Sequence, residues 1–193
     1  DPDGDWSSDV CSSDLLSHLQ RLSVIPPGAF CLQSSSMCSN SLFFPTDKES
    51  TRLSYRGDTL RLSQDGQYLY VTTRGKTSAT RGYVSVWRVA ADGTLGDDSN
   101  VPYDDPYAPL TRWETPTSGG KANAIDTFPF HAKDSPVTKD WIVLTDDEEG
   151  TGWIWILEWD GKRMEEIAAL RLVEEGEDGK TVAVGSSHAV WLS

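Results

Sequence analysis

Apolar and polar positions alternate with a period of two through much of the chain beyond about residue 51, and no apolar stripe with the 3.6-residue helical period is sustained anywhere. Residues 68–73, rich in aromatic and β-branched side chains, follow the turn signal Gln64-Asp-Gly-Gln67 and predict a strand. Residues 82–89 alternate, with Tyr83, Ser85, Trp87 and Val89 on one face and Val84, Val86 and Arg88 on the other. Residues 141–145 and 152–159 repeat this two-strand unit. In the second member Trp153, Trp155, Leu157 and Trp159 share a face, and Ile154 and Ile156 make the opposite face apolar as well. Such a strand is expected between two covering layers. Asp160-Gly161 predicts a hairpin turn into a further strand over 164–172. Residues 165–170 also suit a short helix, but their place after the turn favours strand.

The two units are copies of one another. Tyr68 to Trp141 is a step of 73 residues and Gly82 to Gly152 a step of 70. His188-Ala-Val-Trp191 repeats Asn123-Ala-Ile-Asp126, the first strand of the second unit. A period this long, with four strands to a unit, predicts propeller blades rather than a solenoid. The expected fold is therefore all-β: about two four-stranded blades of a partial β-propeller plus one strand of a closing blade. Two blades and a strand cannot close a ring, so the chain is expected to be the C-terminal part of a longer propeller.

Residues 1–44 differ from the rest. All three cysteines (Cys11, Cys31, Cys38) lie there, whereas seven of the eight tryptophans lie from Trp87 onward. An odd cysteine count without a CxxC pair supports neither a disulfide framework nor a zinc site. Residues 33–41 are Ser-rich and of low complexity. Residues 5–15 resemble one reading frame of a common short-read sequencing adapter. The expected division is a spurious or disordered leader over 1–44 and a propeller segment over 45–193.

Charge narrows the possible partners. Seventeen Lys and Arg stand against thirty Asp and Glu, a net charge of −13 that disfavours nucleic acid and anionic membrane as partners. No apolar run has the length of a membrane span, and residues 1–14 lack the basic start of a secretory signal. A soluble, cytoplasmic protein is the expectation.

Seven segments carry a resemblance. Residues 58–62, 72–75 (Thr-Thr-Arg-Gly), 82–87, 115–120 (Pro-Thr-Ser-Gly-Gly after Thr115), 123–125, 144–150 (Leu-Thr-Asp-Asp-Glu-Glu-Gly) and 188–192 resemble, in this order, the C-terminal part of the fungal 3-carboxy-cis,cis-muconate cyclase family. These are lactonizing enzymes of the lactonase-type, seven-bladed propeller class. The resemblance covers roughly 135 residues, from Arg56 to Leu192. It implies cofactor-free, reversible closure of a tricarboxylate diene to a γ-lactone in protocatechuate breakdown. The implied partner is a small anionic tricarboxylate, with neither cofactor nor metal.

A tricarboxylate calls for guanidinium groups that grip carboxylate in bidentate fashion, and protonation at carbon calls for a general acid. The resemblance places Arg74 at a proposed active-site arginine. The family's histidine, glutamate and second arginine match no position here, so this chain alone is expected to be inactive. His188 is a possible channel-facing residue, on the strand expected nearest the propeller axis; a structural histidine is the blander reading. His131 is expected on a surface loop. The run Asp146-Asp-Glu-Glu149 lacks the ligand spacing of a calcium loop and is expected to be a solvated strand connection. Arg56-Gly-Asp58 is expected merely to lead a strand. Because fold does not fix function, a propeller that binds without catalysis and another sugar-lactone lactonase of the same class stay open as alternatives.

Overall fold

The computed structural model describes residues 54–96, 109–131, 138–176 and 179–192. The leader, its cysteines and the adapter-like stretch lie outside these residues. Two four-stranded antiparallel sheets dominate. The first has the order β1 (Tyr55–Leu62), β2 (Tyr68–Gly75), β3 (Tyr83–Arg88), β4 (Thr111–Glu114). The second has the order β5 (Ile125–His131), β6 (Thr138–Asp146), β7 (Trp153–Trp159), β8 (Met164–Arg171). Each is a meander in which sequence neighbours pair, through connections of four to seven residues except for the 22 residues between β3 and β4. A short hairpin, β9 (Val173–Glu175) with β10 (Thr181–Ala183), follows. No helix occurs among the described residues.

The sheets pack face to face, with β1 beside β5 and β4 beside β8. This is how adjacent propeller blades lie, and the fold is all-β and propeller-like as expected. Tyr70, Val84 and Val86 from the first sheet meet Ile125, Ile142, Leu144, Trp155, Leu157 and Trp159 from the second. Tyr68 meets Trp159 edge-on, with ring centroids 5.5 Å apart, and Trp113 meets Trp155 at 6.2 Å. Edge-to-face contacts of this kind set the ring quadrupoles favourably. Trp155, Leu157 and Trp159 share one face of β7, as the alternation predicted, and that face is the buried one, whereas Ile154 and Ile156 opposite are half-buried.

The inner face of β6 reads Asp140, Ile142, Leu144, Asp146, an apolar pair between two buried acids. Both acids cross to the other side of the interface. Tyr70 donates its hydroxyl proton to Asp140, and Thr117 donates to Asp146. Burial raises the pKa of both carboxyls, and burial next to Asp140 raises that of Tyr70.

Three expectations need correction. Residues 187–192 form no strand; the segment lies across β5, where the Trp191 ring sits 5.6 Å from that of Phe128. Its backbone is held by a side chain, since Trp191 N–H donates to Asp126 Oδ2 at 3.2 Å. His188, expected on an inner strand, is thus an exposed residue of an irregular segment. His131 ends β5 instead of lying in a loop, although it is exposed as expected.

Candidate functional site

Both sheets begin their first strand and end their second at the same end, because Tyr55 pairs with Gly75 and Ile125 with Leu144. The β2–β3, β4–β5 and β6–β7 connections therefore gather there. They border an open cavity of about 480 Å³, lined among others by Lys76, Ser118, Gly120, Lys121, Asp147 and Glu148. Arg74, one residue before the end of β2, does not line the cavity itself; its chain neighbour Gly75 and its hydrogen-bond partner Gly120 do.

Arg74 faces the second sheet. Its Nη1 donates to the carbonyl of Gly120 at 2.9 Å, and its Nε lies 3.6 Å from Asp58 Oδ2. The latter is an ion pair but too long for a hydrogen bond, and Nε is buried without an acceptor. Only 17% of the Arg74 side chain is exposed. The guanidinium is thus oriented from two sides and desolvated along one edge.

Asp58 was not singled out as a functional residue by sequence reasoning. The tripeptide containing it does lead a strand, as expected, but Asp58 also accepts the backbone N–H of Asn123 while facing Arg74. Asn123 in turn donates its side-chain amide to Thr73 O at 3.0 Å and is wholly buried. No local pattern marks Asp58, because its partners lie at positions 74 and 123.

Two segments of the resemblance, 115–120 and 144–150, prove to be two halves of one interlock. Thr115 Oγ1 accepts Gly82 N–H at 2.8 Å and donates to Thr117 O. Gly119 and Gly120 both adopt the left-handed conformation, with φ of 84° and 62°, which only glycine adopts without cost. The turned chain presents its donors to the acidic run. Thr117 bonds Asp146. Ser118 gives both its N–H (2.7 Å) and its hydroxyl (2.9 Å) to Glu148 Oε2. Lys121 and Ala122 give their backbone N–H groups to Asp147 Oδ1. A methyl group on Gly120 would overlap Asp147 Oδ1 and Glu148 N.

The acidic run is therefore not a solvated connection. Asp146 is wholly buried, and three of the four carboxylates are committed to the preceding loop. Four negative charges in sequence look like a solvent-facing run. The donors that occupy them come from some thirty residues upstream and are mostly backbone. Among the described residues no three His, Cys, Asp or Glu side chains come together as a potential metal site. Nor is any described helix long and apolar enough to cross a membrane.

No protein-family model matches the chain. Two curated fungal proteins are similar to it. One, from Neurospora crassa, is a carboxy-cis,cis-muconate cyclase, 27% identical over 130 residues. The other, from Cutaneotrichosporon cutaneum, is muconate cycloisomerase 1, 31% identical over 149 residues. The matches take in 67% and 77% of this chain but only 30% and 34% of the relatives. The chain thus spans about a third of the length of the curated relatives it matches. Its likeness to lactonizing enzymes is distant and confined to that third.

Proposed function

We propose that the chain is part of a lactonizing enzyme acting on a small polycarboxylate, with 3-carboxy-cis,cis-muconate and its γ-lactone as the interconverted pair. Both curated relatives are named for muconate chemistry, which supports the substrate class. The observation that carries the reading is the guanidinium of Arg74, fixed by the Gly120 carbonyl, next to a cavity sized for a small organic acid that Gly75 and Gly120 help to line.

In the closure a carboxylate oxygen forms a bond to one alkene carbon, and a proton is added at the neighbouring carbon. Atoms are conserved, so the step is an isomerisation. Arg74 would hold a carboxylate of the substrate through its unburied edge. Asp58 and the Gly120 carbonyl hold the guanidinium plane still, which lowers the ordering cost of binding. Two further cations, Lys76 and Lys121, line the cavity, and two of its acids, Asp147 and Glu148, are already engaged by backbone donors. The proton has to come from a general acid. The resemblance places the family's histidine and glutamate outside the matched segment, so the 193-residue chain by itself is expected to lack activity.

A second reading, a propeller segment that binds without catalysis, is favoured by the Asp58 ion pair, which already neutralises Arg74. One substitution separates the two. Arg74→Lys keeps the charge and loses the bidentate fork. In a protein carrying the complete ring, the lactonizing reading expects kcat/KM to fall at least about tenfold with Tm nearly unchanged. An unaltered rate returns Arg74 to a structural role.

A further inference from the structure

We propose that Asp147 is the positioning residue for Arg74, acting through the loop between them; the inference rests on the reading of Arg74 as the carboxylate grip. Arg74 binds a backbone carbonyl, that of Gly120, and a carbonyl can orient a guanidinium only if its own peptide is held. Asp147 holds it. One oxygen, Oδ1, takes the N–H groups of Lys121 and Ala122, the two residues that follow Gly120. The next N–H, that of Asn123, goes to Asp58, which also faces Arg74 Nε at 3.6 Å. Three consecutive amides are thus captured by two carboxylates, one on β1 and one in the β6–β7 connection, and the Gly120 carbonyl nearby accepts from Arg74.

The placement of Asp147 is set sterically as well. Gly120 packs against its carboxylate. On its other side lies Gly185, where a Cβ would come within 2.6 Å of the Asp147 Cα. Glycines 65 positions apart therefore confine the residue between two chain segments. Asp147 stands 73 positions after Arg74, the step that also relates Trp141 to Tyr68. The same strand-end position thus grips in one sheet and supports that grip from the other.

Asp147→Asn and Asp147→Ala separate this role from simple charge. Asparagine keeps Oδ1 as acceptor for both N–H groups; alanine leaves them unpaired. Side-chain ¹⁵N NMR of Arg74, assigned by loss of its signal in Arg74→Lys, reads guanidinium rotation directly. Amide exchange at Lys121 and Ala122 reads the loop. In Asp147→Ala we expect faster Arg74 rotation and at least tenfold faster exchange of both amides; in Asp147→Asn both stay near the parent values. An Arg74 signal unchanged in Asp147→Ala, or an Asn variant as mobile as the Ala variant, would overturn the proposal. Neither readout depends on turnover. If Arg74→Lys leaves lactonization unaltered, the functional reading falls while the positioning of Arg74 by Asp147 is still decided by these spectra. If Arg74→Lys lowers kcat/KM, Asp147→Ala should raise KM and Asp147→Asn should restore it.

Discussion

Trp191 donates its backbone N–H to the carboxylate of Asp126 across 65 positions of chain, the separation at which Asn123 donates to Asp58. In both cases an aspartate on the first strand of a sheet captures the backbone of the segment that follows that sheet. Thr127 and Leu62, and Arg61 and Asp126, make contacts at the same separation. The repeat is thus a relation between neighbouring units, carried by short polar contacts along their inner strands.

Stability should be concentrated between the two sheets. Leu157 is wholly buried there, whereas Leu170, on β8 of the same sheet, is 60% exposed. Leu157→Ala is expected to cost about 2–5 kcal/mol and Leu170→Ala no more than about 0.5 kcal/mol. Urea unfolding of both variants checks this; equal losses would mean that the sheets do not share one core.

Gly66 and Gly120 offer a matched pair. Both have positive φ, 74° and 62°, but a Cβ at Gly66 meets nothing within 4 Å. Alanine at Gly66 meets only the backbone penalty, about 1–2 kcal/mol. At Gly120 it must also displace Asp147 and Glu148. Gly120→Ala is therefore expected to lower Tm more than Gly66→Ala, and the reverse order would remove the interlock from the account.

The buried acids make stability depend on pH. Burial raises the pKa of Asp140 above its usual 3.8, so the folded chain holds that proton more tightly than the unfolded chain does. Its contribution is complete below the unfolded value and is lost as pH rises through the folded one. Glu158 acts in the opposite sense. The hydrogen bond from Lys139 lowers its pKa below 4.5, giving a contribution present above that value and lost on acidification. Asp140→Asn can still accept from Tyr70 but no longer titrates. Its Tm relative to the parent should improve as pH rises from about 4 to 7. A constant difference would show that Asp140 does not titrate on folding.

Leu60 and Leu62 on β1 are 56% and 51% exposed, at the edge of the first sheet. An edge strand with a row of exposed apolar side chains recruits other chains. Sedimentation of the chain is expected to show concentration-dependent association that Leu60→Lys with Leu62→Lys reduces. A monomer at all concentrations would contradict this. The face of β3 that carries Ser85 and Trp87, by contrast, does not lie open, each residue being 1% exposed.

Local pattern alone determined most strands of the two sheets and the repeat that relates them. Alternation with a period of two and turn signals such as Asp160-Gly161 are properties of adjacent residues, and they placed β2, β3, β6, β7 and β8 and put Trp155 and Trp159 on one face. The tertiary structure alone decided what the polar residues do. Asp58, Asp146 and Asp147 look like ordinary charged positions because their partners are distant in sequence and are largely backbone N–H groups, which carry no sequence signature. The segment at 187–192 had the composition of a strand. Strand formation also requires a neighbouring backbone, and here a side chain, Asp126, took that place.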